Sequence, residues 1–457
     1  MTEILRQKLS DSKAARFTVL GVVALTMFCG YFITDVMAPL KPMLESEFGW
    51  QSSDYGFFTS AYGWFNVFLL MLIFGGIILD KMGVRFTGLG ACILMVAGCS
   101  LKYYSVAYGL SFEGTILGVR SQVMIASIGF AIFGMGVEIA GITVTKVIVR
   151  WFKGHEMALA MGLQVSVARI GTTLALAAAF PLAKYFHSVA APILFGLVLL
   201  CIGLIAFLVF CVMDKKLDAS LTETNEEEGE PFKVSDILFI VKNKGFWLIA
   251  FLCVLFYSAV FPFLKYAVDL MINKYNIEPE FAGNIPAILP FGAILLTPLF
   301  GGIYDKKGKG ATIMIIGALL LILVHVLFAV PILNYWWFAT ALMVLLGIGF
   351  SLVPSAMWPS VPKIIPENKL GTAYALIFWV QNWGLMGVPY LIGVILEKYC
   401  IVGVRVLENG KETPVYDYAL PMAIFTCFGV LAFCVALMLK TEDRKKGYGL
   451  EKPNIEK

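Results

Sequence analysis

The chain has 457 residues, 59% of them hydrophobic and only 14% charged, where an ordinary soluble domain carries about 25% charged residues, so a water-soluble globular fold is excluded. The formal net charge of +4 matters less for its total than for its distribution, and no nucleic-acid partner, metal or cofactor is expected. The nine cysteines lie mostly inside apolar runs with no CxxC pair among them, and read as small packing residues.

In chain order, the N-terminal MTEILRQKLSDSKAARF precedes the first apolar run without a short leader core and small-residue cleavage site, so the first helix is expected to be retained. Apolar stretches long enough to cross a bilayer predict helices over 16–40, 55–79, 86–107, 122–149, 158–186 and 190–213. Residues 1–213 are then one six-helix bundle. Residues 214–244 hold the long acidic run DKKLDASLTETNEEEGEP and the short amphipathic stretch FKVSDILFIV, a cytoplasmic linker with an interfacial helix. Six more spans are predicted over 245–272, 281–304, 311–331, 335–357, 367–397 and 419–440, so 245–440 is a second bundle and 441–457 a cytoplasmic tail. Of the 35 Lys and Arg residues, 25 fall on the side of the termini and eight on the other, with Arg169 and Lys265 inside spans. Short loops that keep positive charge stay cytoplasmic, which predicts both termini there.

The loops after the second and eighth spans repeat each other. One reads Gly75-Gly76-Ile-Ile-Leu-Asp80-Lys81-Met82-Gly83-Val84-Arg85, the other Gly301-Gly302-Ile-Tyr-Asp305-Lys306-Lys307-Gly308-Lys309. Glycine permits close helix contact and a tight turn, and the aspartate suits a neighbouring helix N-terminus or the nearby bases. Gly76, Asp80, Lys81, Gly83 and Arg85, with Asp305, Lys306 and Gly308, are therefore expected to act as a latch during rocking of the halves.

An ionisable group at bilayer depth is costly and usually marks a watery path. Glu138 in the fourth span and Arg169 in the fifth each lie 11 residues from the predicted terminal-side end of their helix, about 16 Å at 1.5 Å per residue, hence at one level. Opposite charges at one depth suit a zwitterion, with Glu138 on an ammonium and Arg169 gripping a carboxylate. The alternative is a structural salt bridge that never meets substrate. Asp35 lies toward the outer end of the first span, open to either role. Lys265 and Asp269 are four apart on the seventh, where a self-contained pair competes with a ligand role. His325 is expected to pack between helices or at the lipid edge. Tyr62, Asn66, Gln164, Tyr257, Trp358, Gln381 and Asn382 are further candidates for a polar and aromatic site.

The duplicated turn, the twelve predicted spans and the polar mid-chain linker resemble the major facilitator superfamily over nearly the whole chain, which implies an all-α fold of two pseudo-symmetric six-helix bundles. Three segments go further: GVEIAGITVTKVIVRWFKGHEMALAMGLQVSVARIG, LFYSAVFPFLKYAV and AMWPSVPKIIPENKLGTAYALIFWVQNWGL. They resemble the lysosomal dipeptide transporters within that superfamily. The resemblance implies that Glu138 meets a peptide amino group, Arg169 its carboxylate and Trp358 the cavity wall, and it favours facilitated, uncoupled transport; a monomer is expected. Where many proton-coupled relatives carry an arginine in the fourth span, this chain reads Gly129-Phe130. The N-terminus lacks the acidic dileucine signal of the animal proteins, so a prokaryotic inner membrane is expected, and their glycosylated accessory subunit is not implied. A second reading makes the substrate an organic or phosphorylated anion, moved by antiport or proton symport. An enzyme is not expected, since His155-Glu156 in GHEMALA lacks the second histidine of a zinc motif.

Overall fold

In lipid, backbone amides must be satisfied within the chain, and helices do this locally. The computed structural model describes residues 9–109, 114–152, 155–220, 234–366, 369–406 and 411–453. Among the described residues eleven helices are long and apolar enough to cross a membrane. The first half comprises α1 (Lys13–Asp35), α2 (Lys41–Phe48), α3 (Ser52–Ser60), α4 (Trp64–Phe68), α5 (Met71–Ala107), the hairpin β1 (Thr115–Ile116) and β2 (Val119–Arg120), then α6 (Ser121–Phe152), α7 (Met157–Tyr185) and α8 (Ala191–Ser220). A short α9 (Val234–Val241) lies where the interfacial helix is expected, whereas 221–233 of the acidic linker lie outside the described residues. The second half comprises α10 (Lys244–Tyr275), α11 (Pro279–Ala282), α12 (Asn284–Lys307), α13 (Gly310–Ala329), α14 (Trp336–Ile364), α15 (Leu370–Tyr399), the hairpin β3 (Ile401–Val406) and β4 (Glu412–Tyr416), and α16 (Ala419–Lys446).

Twelve spans are expected and eleven such helices are found; the difference sits in the second. The predicted helix over 55–79 is broken, passing from α3 through a 3-10 turn at Ala61–Gly63 into α4, with Leu70 at a φ of 52° before α5 begins. The break is packed on both sides. A β-carbon on Gly134 of α6 would lie 2.3 Å from the Tyr62 carbonyl oxygen, and one on Gly63 would lie 2.9 Å from Met386 of α15. Helix α5 then runs on through the predicted third span, interrupted at Gly83. Two short hairpins lie in the loops of an otherwise helical chain.

Helix α8 also runs past the predicted end at 213 to Ser220, because the first linker acids are held by bases of its own half. Asp214 accepts from Arg150 at 2.8 Å and from the Trp151 indole at 3.0 Å, and Arg85 reaches Asp218 at 2.6 Å. Within the first half α1 packs on α7 and α8, and α5 on α6; within the second α10 packs on α15 and α16, and α13 on α14 and α16. The halves meet mainly where α15 packs on α3 and α12 on α7.

The repeated turns share their backbone device: Gly83 has a φ of 77° and Gly308 one of 68°, a region open to glycine at little cost. Their surroundings differ. A β-carbon on Gly308 would meet the Glu451 carbonyl oxygen of the C-terminal tail at 2.4 Å, and none lies near Gly83. Two latch expectations are corrected. Close helix contact is made by Gly75, which would strike Ile139, not by Gly76, which has open space. Asp80 pairs with Lys146 of α6 at 2.7 Å, not with the bases of its own loop, because α6 passes beside the turn. Lys81 and Lys306 are exposed.

Candidate functional site

Helices α6 and α7 run antiparallel, and the faces bearing Glu138, Gly141, Ile142 and Thr145 on one and Gln164, Val165, Ala168 and Arg169 on the other border a cavity of about 230 Å³. Met27 and Tyr31 of α1 complete the first-half wall, and Phe378 of α15 supplies the second. The spacings of three and four residues place each set on one helix face. Following the chain, the charges lie at one end of the cavity, small and aliphatic side chains in the middle, and Thr145 and Gln164 toward the end where the termini lie.

Glu138 and Arg169 do not pair with each other. The Tyr62 hydroxyl donates to Glu138 at 2.7 Å. The Arg169 guanidinium has no ion-pair or hydrogen-bond partner among the described residues and instead lies 5.5 Å from the Tyr31 ring centre, 5.5 Å from Phe261 and 5.1 Å from Phe350. The alternative of a structural salt bridge is therefore corrected: each charge meets the cavity and a separate set of first contacts.

Trp358 and Tyr257 stand behind the cavity wall and not in it. The Trp358 indole donates to the Tyr257 hydroxyl at 3.2 Å, its ring lies 5.0 Å from Phe378, and Tyr257 stacks on Phe261 at 5.1 Å. Phe261 in turn meets Phe350 at 5.7 Å. The second half thus presents one continuous aromatic surface to the charges of the first. Asn66, Asn382 and Gln381 do not line the cavity either. Asn66 donates to Asn382 across the halves at 3.5 Å, and Gln381 accepts from the Cys253 thiol, because α15 presses against α4 and α10 here.

Directly above the cavity, on the side away from the termini, the charges are paired. Lys265 reaches Asp35 at 2.6 Å and also donates to the Thr34 carbonyl, while the Thr172 hydroxyl donates to Asp35 at 2.9 Å. One turn further, Asp269 binds Lys41 at 2.8 Å and accepts from the Tyr418 hydroxyl; Lys41 also binds Glu45 at 2.7 Å, and the Tyr416 hydroxyl donates to Glu45 at 3.0 Å. The Lys41 side chain is fully buried. Lys265 and Asp269 are therefore not a self-contained pair: each is drawn to the first half by an opposite charge. Desolvation works against the Lys41 ammonium, but Asp269 and Glu45 outweigh it and raise its pKa. Burial raises the Glu45 carboxyl from 4.5 to about 7, opposed by Lys41. Further contacts join the halves at the same end, the Ser53 amide to Glu397 at 3.0 Å and the Tyr55 hydroxyl to the Lys265 carbonyl at 2.9 Å. At the end with the termini, Arg16 with Glu156, Lys146 with Asp80 and Lys244 with Glu442 each join elements of one half.

Sequence reading missed Tyr31, Phe261, Phe350 and Lys41. A signal for one of them exists: Phe261 falls in line with Tyr257, Lys265 and Asp269, which recur every four residues as one stripe of α10. Lys102, near the outer end of the predicted span 86–107, is buried in the first half, where its ammonium donates to the Ile33 carbonyl at 3.2 Å and lies 4.9 Å from the Phe130 ring centre. His325 is buried between Phe263 and Phe425, its Nδ1 2.9 Å from the Leu321 carbonyl oxygen, a packing position inside the second half.

The Major Facilitator Superfamily matches residues 23–389. The lysosomal dipeptide transporter MFSD1 of Danio rerio is 29% identical over 392 residues, covering 84% of this chain and 81% of its own, and that of Homo sapiens 27% over 399 residues, covering 84% and 81%. The alpha-ketoglutarate permease of Escherichia coli is 26% identical over 257 residues, 53% of this chain and 52% of its own. Among solved structures, a D-xylose-proton symporter superimposes with a TM-score of 0.67 at 16% identity, covering 93% of this chain and 97% of its own. A bacterial homologue of the human lysosomal transporter Spinster, in an inward-facing conformation, gives 0.65 at 15% over 95% and 98%. The prokaryotic inner-membrane location finds no support in the MFSD1 relatives, which are named as lysosomal.

Proposed function

The chain belongs to the Major Facilitator Superfamily, a transporter and not an enzyme, and on that premise we propose that it carries short zwitterionic peptides, dipeptides foremost, as a facilitative uniporter. One observation carries the reading: Glu138 and Arg169 border one cavity without neutralising each other. Two ionised groups left unpaired at bilayer depth are costly, and a ligand bearing an ammonium and a carboxylate relieves both. Glu138 holds the amino terminus, with Tyr62 orienting the carboxylate, and Arg169 holds the carboxy terminus through its fork of N–H donors. Trp358 and Tyr257 back the aromatic wall against which the peptide lies. The relatives named as dipeptide transporters support this assignment.

The distribution of contacts supports transport by alternating access. The halves are bound together on one side of the cavity by Asp35 with Lys265 and Lys41 with Asp269, so the arrangement opens toward the termini, the side predicted to be cytoplasmic. Breaking those pairs and closing the terminal side exposes the same cavity to the opposite face.

A second reading, an organic-anion carrier, draws on the alpha-ketoglutarate permease likeness. It leaves Glu138 facing an anionic substrate with only a tyrosine for company. Uptake into proteoliposomes separates the two. Glu138→Gln removes a charge-assisted hydrogen bond worth about 1.5–3 kcal/mol, or about 10- to 100-fold in affinity, from a peptide ammonium. Loss of dipeptide uptake with that variant is the expected result; unchanged uptake, or thermal stabilisation of the purified protein by dicarboxylates and not by dipeptides, overturns the peptide reading.

A further inference from the structure

Arg169 belongs to the first half, yet two of the three rings around its guanidinium, Phe261 of α10 and Phe350 of α14, belong to the second. Tyr31 of α1 is the third. A guanidinium is planar, with five N–H donors in its plane and a weakly hydrated face that stacks on aromatic rings. Rings that take up the faces leave the donors at the edge, and Arg169 borders the cavity. The cage also lies one turn from the paired charges: Tyr31 precedes Asp35 by four residues, Phe261 precedes Lys265 by four, and Arg169 precedes Thr172 by three. Asp35, Lys265 and Thr172 are themselves in contact. The three helices α1, α7 and α10 therefore meet in two successive layers, one aromatic and cationic at the cavity, one ionic above it.

The geometry points to Phe261 and Phe350 as positioning residues that hold the Arg169 fork ready for a substrate carboxylate and make recognition of that carboxylate a property of both halves. The inference rests on the peptide reading of the cavity and adds to it. The rings touch no charge of the substrate themselves. They restrict a long, rotamer-rich side chain to one orientation, so the ordering cost is met before the ligand arrives. With the rings drawn from the other half, the fork is fully oriented only when α10 and α14 lie against α7, and a bound carboxylate in turn favours that contact. A ligand whose carboxy terminus is a neutral amide does not use the fork and is indifferent to the rings.

The test compares binding of Ala-Ala and of its C-terminal amide to the purified full-length protein, the Phe261→Leu and Phe350→Leu variants, and Arg169→Gln. Leucine keeps apolar volume and removes the π face, which at a partly desolvated cation is worth about three- to tenfold in affinity. The expected result is that either leucine variant weakens Ala-Ala by about that factor and leaves the amide unchanged, that Phe261→Tyr restores Ala-Ala binding, and that Arg169→Gln erases the preference for the free acid. Equal weakening of both ligands makes the rings a general wall and overturns the positioning role. A preference erased by Arg169→Gln but untouched by the leucine variants overturns the cage alone and leaves the peptide reading standing. A preference that survives Arg169→Gln overturns both. Phe261, only partly buried, carries the test if leucine at the buried Phe350 costs the fold.

Discussion

Along one stripe of α10, about 6 Å per step, the chain treats charge in two opposite ways. At Lys265 and Asp269 the opposite charges of the two halves meet and are satisfied: Asp35 accepts from Thr172 as well as Lys265, and Lys41 sits fully buried between two carboxylates that tyrosine hydroxyls also reach. One turn below, at Phe261, the facing half offers Arg169, and α10 answers with a ring that stacks on Tyr257 a further turn down. Both regions hold acids and bases from neighbouring helices. A buried pair with all its hydrogen bonds made is a closure, whereas charges left to a cavity are a demand for a ligand. On the proposed reading, the same helix faces the substrate with one segment and joins the halves with the next.

The difference breaks most cleanly at Lys41. Lys41→Met leaves Glu45 and Asp269 buried together without a cation, a loss of about 3–5 kcal/mol, and is expected to lower the melting temperature more than a change at Arg169, Asp35 or Lys265. Arg169→Met is expected to end dipeptide uptake while melting close to the unaltered protein, since its charge has no ion partner to orphan. If the two variants melt alike, the contrast between lock and cavity is wrong. A smaller effect is expected at the upper pair. Asp35→Asn or Lys265→Met removes one charged hydrogen-bond partner, about 1–3 kcal/mol, and shifts the population toward opening at that end. Spin labels at Leu117, which is 92% exposed, and at Lys398 report the shift as a longer separation. A double-mutant cycle in which the two substitutions simply add shows that the pair does not hold the halves together.

Much of this was legible beforehand, and what was not has a common cause. Apolar runs marked the helices because lipid imposes length and hydropathy residue by residue, and the equal depth of Glu138 and Arg169 followed from helical rise alone. The two glycine turns were visible as a repeat, and both glycines take positive φ. Pairings between the halves were not visible. Lys265 and Asp269 invited a local pairing four residues apart, but their partners lie 230 and 228 residues away, and no periodicity encodes that choice. Lys41 reads as a loop charge because a short amphipathic helix looks like polar punctuation, and Lys102 reads as an outer-side charge because it stands near the end of its span. The cage was hidden in an aromatic content of 14%, in which no single phenylalanine stands out. The break at 61–70 was hidden by its own apolarity: Tyr62, Trp64 and Phe65 read as membrane helix whichever way the backbone turns.

The least of the expected effects, a single proton, sharpens the comparison furthest because it acts on the lock and leaves the cavity alone. The cluster at Glu45 holds two carboxylates, Glu45 and Asp269, for one ammonium, Lys41, with the Tyr416 hydroxyl on Glu45 and that of Tyr418 on Asp269. Burial raises Glu45 from 4.5 to about 7, so the neutral acid leaves Lys41 and Asp269 as a balanced pair. Opening returns Glu45 toward its ordinary value. Closing this end therefore takes up a proton between those two values. The closed arrangement is favoured most below about pH 4.5, loses ground as pH rises toward about 7, and changes little beyond. Label separations between Leu117 and Lys398 are expected to lengthen across that window, and Glu45→Gln, neutral at every pH, is expected to flatten the response. A slope that persists in Glu45→Gln assigns the proton elsewhere and leaves the lock a pair of simple ion bridges.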